Sequence, residues 1–77
     1  MEQKIKQSGI NIGANIRQIR LEKRIKQTEL VRMIQLCDIS MTREALVKIE
    51  RGVQHITGSQ LRGFRDCLDT TYEELLK

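Results

Sequence analysis

The chain has 77 residues, with 14 Lys and Arg against 10 Asp and Glu, a formal net charge of +4, no proline, and Phe64 and Tyr72 as its only aromatic residues. That length holds one domain, and a domain so small buries only about 60 per cent of the surface its unfolded chain exposes, so Ile, Leu and Val must supply an efficient core. No apolar run reaches the length of a membrane span and no signal-peptide core opens the sequence, while two separated cysteines and a lone histidine complete neither a zinc site nor a disulfide framework. The expectation is an all-α, cytoplasmic protein with no metal and no cofactor, whose Cys37 and Cys67 act as unpaired, small core hydrophobes.

Residues 1–10 are polar and mildly basic through Lys4 and Lys6, and read as a flexible N-terminal arm ahead of one domain over residues 11–77. Asn11 is a suitable N-cap for a first helix whose stripe is Ile12, Ile16 and Ile19 and which fades at Lys23–Arg24, with Ile25 as a buried connector. A second helix starts near Gln27 with Leu30, Val31, Ile34 and Cys37 inward. Glu29 favours its N-terminus, whereas Lys26 is a poor cap. Periodicity lapses from Leu36 to Met41, six residues where a compact helix-turn-helix needs three or four, and Ile39 is expected to pack under this loop.

Thr42 then caps a third helix that runs to about Arg51 and stops at Gly52. Leu46 and Ile49 face inward, and Arg43, Glu44, Val47, Lys48 and Arg51 lie side by side on the other face. A connector with Gln54 and His55 follows. Thr57 and Gln60 have capping-box spacing before a fourth helix with Leu61, Phe64 and Leu68 inward; Thr71 and Glu74 repeat it before a fifth with Tyr72, Leu75 and Leu76. Charge is segregated as well: residues 66–77 carry a net −3, so the other 65 carry +7, a basic body suited to phosphates.

The ordered set Ile12-Gly13 with Ile16, Arg20, Gln27-Thr28 with Leu30, Leu46, Ile49-Glu50-Arg51-Gly52, Leu61, Leu68 and the terminal Glu-Glu-Leu-Leu resembles the Cro and phage-repressor-like (xenobiotic-response-element type) helix-turn-helix regulators over residues 12–76. The resemblance implies a five-helix, lambda-repressor-like DNA-binding domain, here with a lengthened helix-turn-helix. It implies phosphate contacts from Gln27, Thr28 and Thr42, and from Arg51, Gln54 and His55 beyond the third helix. Base edges would be read by Arg43, Glu44, Ala45, Val47 and Lys48. Arg20 and Glu50 would form a structural ion pair. The chain departs from the tight form of the motif in its long turn, in Val31 and Gln35, where Ala and Gly are favoured, and in Val47, where a small polar residue is usual.

The residue chemistry is compatible with these roles, since Arg and Lys suit guanine O6 and N7, Glu accepts from cytosine N4, and Val can meet a thymine methyl. Each has a plainer alternative. Glu44 and Lys48 can form a surface i,i+4 pair, His55 can simply face solvent, and Tyr72 can serve the core or a dimer interface. The function expected is a sequence-specific regulator of double-stranded DNA, a homodimeric repressor in the first instance, with no small-molecule effector. The alternative is a protein-interaction or antitoxin-like module on the same fold. An enzyme is not expected, because no nucleophile motif or phosphate loop is present to assemble a reaction from.

Overall fold

The computed structural model describes residues 4–5 and 11–77. The described residues form five helices: α1 (Ile12–Glu22), α2 (Gln27–Leu36), α3 (Arg43–Glu50), α4 (Gly58–Cys67) and α5 (Tyr72–Leu76). Two short strands, β1 (Lys4–Ile5) and β2 (Ile56–Thr57), pair antiparallel with Lys4 opposite Thr57 and Ile5 opposite Ile56. This pair is the addition to the all-α expectation. Lys4 and Ile5 are not an unpaired arm: Ile5 is half-buried and packs against the core. The remainder of the first ten residues lies outside the described ones.

The core is aliphatic apart from Phe64, with Ile12, Ile16, Leu30, Ile34, Leu46, Ile49, Ile56, Phe64, Leu68 and Leu75 all fully buried. α1 packs on both α3 and α5, and α2 packs on α3 and α4. α2 and α4 approach closely because Gly63 lacks a side chain: a Cβ there would fall 2.8 Å from Ile39 Cδ1 and 3.7 Å from Ile34 Cγ2. Cys67 is half-buried against this core, but Cys37 is exposed at the C-terminal end of α2, which ends one residue before the sequence stripe does.

α1 to α4 all stop with the same hydrogen-bond pattern, two bonds closing the last turn around a residue in the left-handed region. In α2 the Ile39 N–H donates to Ile34 C=O (3.3 Å) and the Asp38 N–H to Gln35 C=O (3.0 Å), with Asp38 at φ 60°. Arg24 (φ 58°), Gly52 (φ 78°) and Asp69 (φ 50°) hold the equivalent place after α1, α3 and α4. Only the one after α3 is a glycine.

The starts are more varied. Thr42 accepts from the Ala45 N–H at 3.0 Å, and Thr57 and Gln60 make both bonds of a capping box. Thr71 accepts from the Glu74 N–H, but the Glu74 carboxylate turns to Lys77 (3.1 Å), so the second box is half made. Asn11 sits at the N-cap of α1 without a side-chain bond to the helix, and its C=O accepts the Asn15 N–H at 2.9 Å. At α2 the Glu29 carboxylate accepts the Lys26 N–H (3.2 Å), which partly makes up for a lysine that has no acceptor of its own.

The connector between α2 and α3 has the six-residue length predicted, Cys37 to Thr42. It is a braced loop. Ile39 and Met41 are buried, Gln35 Nε2 donates to Met41 C=O (2.8 Å), and Gln60 Nε2 donates to Ser40 C=O (3.1 Å). Gln35, where the tight motif favours glycine, is thus a strut of the longer turn.

Candidate nucleic-acid interface

α3 presents its outer face because its inner one is committed. Leu46, Ile49 and Glu50 are buried, while Arg43, Glu44, Lys48 and Arg51 are exposed and line a shallow concave patch with half-buried Val47 at its centre. Among the described residues, none of these four charged side chains has an ion-pair or hydrogen-bond partner, and Glu44 and Lys48 do not pair with each other. Their charges are available to a ligand. Ala45, expected among the base readers, is half-buried against the core and does not line the patch.

The orientation of α3 is fixed from beneath by a buried ion pair. Arg20 Nε donates to Glu50 Oε2 (2.8 Å) and Arg20 Nη2 to Glu50 Oε1 (3.0 Å), a bidentate clasp between α1 and α3. Arg20 Nη1 also donates to Ile25 C=O (2.9 Å), so the pair holds the α1–α2 connector too. The predicted structural pair is therefore present.

Gln27, expected to contact a phosphate, is half-buried and already holds one partner. Its Nε2 donates to Glu50 Oε1 at 3.1 Å, making it a third member of the buried network and tying α2 to α3. Thr28 beside it is exposed, as is Thr42, whose hydroxyl oxygen already accepts the Ala45 N–H. Beyond α3, exposed His55 and half-buried Gln54 line a second cleft with Lys4, Val53, Thr57 and Gln60. Lys4, which the sequence marks only as a basic residue of the N-terminal arm, joins this cleft. Its position beside Gln54 and His55 follows from strand pairing across some fifty residues, which no local pattern encodes.

Tyr72 is exposed, with the Arg65 guanidinium 4.6 Å above its ring, and Arg65 also binds Asp66 (2.9 Å). That hydrogen bond is the first cause of the rise in the Arg65 pKa above its usual value. Arg65 and Asp66 of α4 and Tyr72 of α5 do not line the α3 patch. Among the described residues no group of His, Cys, Asp or Glu is arranged to hold a metal, and no helix is long and apolar enough to cross a membrane.

Five helices, with α2 and α3 joined by a turn and the outer face of α3 open, define a helix-turn-helix domain of the lambda-repressor-like fold. The crystal structure of the restriction-modification controller protein C.AhdI from Aeromonas hydrophila has this fold, with a TM-score of 0.75 at 21% sequence identity, over 86% of this chain and 92% of that one. No protein-family model and no curated protein matches the chain. The fold implied by the sequence resemblance is thus the fold found.

Proposed function

We propose that the protein is a sequence-specific, double-stranded DNA-binding transcriptional regulator that lays α3 in the major groove. The observation that carries the reading is the α3 face, on which Arg43, Glu44 and Lys48 are exposed and uncommitted around Val47 while a buried clasp fixes the helix beneath them. Arg43 and Lys48 suit guanine edges, Glu44 suits cytosine N4, and Val47 suits a thymine methyl. Thr28, Thr42, Arg51, Gln54 and His55 flank that face as phosphate contacts, and Lys4 joins Gln54 and His55 in their cleft. The controller role named for C.AhdI supports a regulatory reading of the shared fold.

The protein acts as a homodimer in this reading. Such a dimer would present its two α3 helices to half-sites one helical turn, about 34 Å, apart. Repression is its simplest mode, since occupancy of a promoter blocks it without further machinery. A second reading, a protein-interaction or antitoxin-like module, is favoured by Leu36 at the end of α2 and Val53 in the connector after α3, which are 76% and 66% exposed.

Selection of bound duplexes from a random library tests the first reading and reports half-site sequence and symmetry together. Enrichment of a palindromic site supports it, and Arg43→Ala is then expected to cost about 1–3 kcal/mol and to relax preference at one position. Failure to enrich any duplex, at low salt as well as physiological salt, overturns DNA binding and leaves the second reading. Unchanged affinity and preference in Arg43→Ala would remove α3 as the reading helix.

A further inference from the structure

The two cysteines, thirty positions apart in sequence, meet in the fold. Cys37 closes the C-terminal end of α2 and Cys67 is the last residue of α4. The two helices touch just before these ends, at Gly63 against Ile34, and Ile39 of the connector packs on the same glycine. Cys67 lies one turn beyond Gly63 on the same face of α4, and Cys37 lies three residues beyond Ile34. The same packing brings the ends of the two helices together, and Cys37 is near enough to contribute to raising the Cys67 pKa. Their exposures differ: Cys37 is open to solvent, whereas Cys67 is half-buried against the core.

We propose that Cys37 and Cys67 are an oxidation site, which takes a peroxide as its oxidant and closes to an intramolecular disulfide tying the end of α2 to the end of α4. The asymmetry of the pair sets the order of events. Burial, and then the neighbouring Cys37, push the Cys67 thiol up to about 11, so it stays protonated and is a poor first nucleophile. Cys37 meets the oxidant. Its sulfur attacks one peroxide oxygen and the O–O bond breaks; the other oxygen leaves as water with the thiol proton, and Cys37 becomes a sulfenic acid. The Cys67 sulfur then attacks the Cys37 sulfur and expels the sulfenic oxygen, which takes the Cys67 proton and leaves as a second water. Two thiols are oxidised and one peroxide is reduced.

The bond would act on the connector that orients α3. Cys37 begins that connector, and Gln60 of α4 already holds its middle at Ser40. A disulfide fixes its first residue to the opposite end of the same helix. This inference is independent of what α3 binds.

The full chain is treated with hydrogen peroxide under non-reducing conditions, then alkylated and mapped by mass spectrometry. The expected product is a monomer lacking two hydrogens, with a Cys37–Cys67 cross-linked peptide, reversal by dithiothreitol, and a Tm raised by about 5–15 °C over the reduced form. Cys67→Ser should stop at a sulfenic acid on Cys37 that a dimedone probe captures, and Cys37→Ser should leave Cys67 unmodified on the same time scale. Both variants replace a thiol with a hydroxyl of similar size, and circular dichroism confirms their helicity. Disulfide-linked dimers, over-oxidation of Cys37 with Cys67 still alkylatable, or no reaction at either thiol would each overturn the proposal.

Discussion

Glu50 is a carboxylate whose side chain is 2% exposed, yet it accepts two hydrogen bonds from Arg20 and one from Gln27. Among the described residues no buried side-chain nitrogen or oxygen lacks a partner, so the network is complete as built. A complete network makes the single deletions unequal. Arg20→Ala leaves a buried carboxylate with only an amide to answer it, which is expected to cost about 3–5 kcal/mol, whereas Gln27→Ala removes one neutral-to-charged bond and should cost about 1–2 kcal/mol. Urea unfolding of the two variants measures both. If Gln27→Ala were without effect on stability, its amide would be free for another partner, and the phosphate role read from the sequence would be favoured. Cys67 gives a second test at this scale. Its folded-state pKa is raised, by burial first, from 9.0 to about 11, so between these values the unfolded chain has lost a proton that the folded chain still holds. Stability from this group is complete below pH 9 and declines as pH rises through 11. Thermal melts of the reduced protein should therefore show a steeper alkaline loss than those of Cys67→Ala.

At the scale of the elements, what was legible in the sequence was what local rules govern. The five helices follow from stripes such as Ile12, Ile16 and Ile19, and from Thr42 and Thr57 as caps. The six-residue connector follows from a lapse in periodicity, and Ile39 beneath it from being apolar inside that lapse. Contacts distant in sequence were not legible. The bond from Gln27 to Glu50 joins residues 23 positions apart, and a two-residue strand such as β1 has no period to detect. The α3 face was legible by residue type except at Ala45, where a small side chain sits equally well on either side of a short helix. Helix termination was partly hidden for a related reason: glycine marks the end of α3, but Arg24, Asp38 and Asp69 adopt the same left-handed conformation without announcing it. Arg24 is exposed and pays for this conformation with steric strain between its Cβ and backbone. Arg24→Gly should relieve that strain and raise stability by about 0.5–1 kcal/mol, net of the extra freedom glycine gives the unfolded chain. A lowered urea midpoint would show that the Arg24 side chain has a role in the fold that outweighs its backbone strain.

Over the whole molecule, charge of one sign is concentrated on one side of the sequence, and its placement matters more than its sum. The acidic residues of the C-terminal stretch lie on and around α5, which packs on α1, while the exposed cations Arg43, Lys48 and Arg51 lie on and just beyond α3. A protein held to DNA by diffuse attraction responds to net charge; one docked through a placed face responds to which charges are removed. The two cases separate in the salt dependence of duplex binding. Arg51→Gln and Glu73→Gln each change the net charge by a single unit, in opposite directions. Docking through α3 predicts that Arg51→Gln lowers the magnitude of the slope of log K against log salt by about 0.9, the value for one released phosphate contact. Glu73→Gln, on α5, should leave the slope as it is and shift affinity only weakly at low ionic strength. Lys4→Gln extends the comparison to the strand pair: a loss of slope like that of Arg51→Gln would place β1 within the footprint, and an unchanged slope would confine the footprint to the helices. Equal and opposite responses to Arg51→Gln and Glu73→Gln would mean that the molecule binds as a charged body, and the α3 face would lose its claim to be the docking surface.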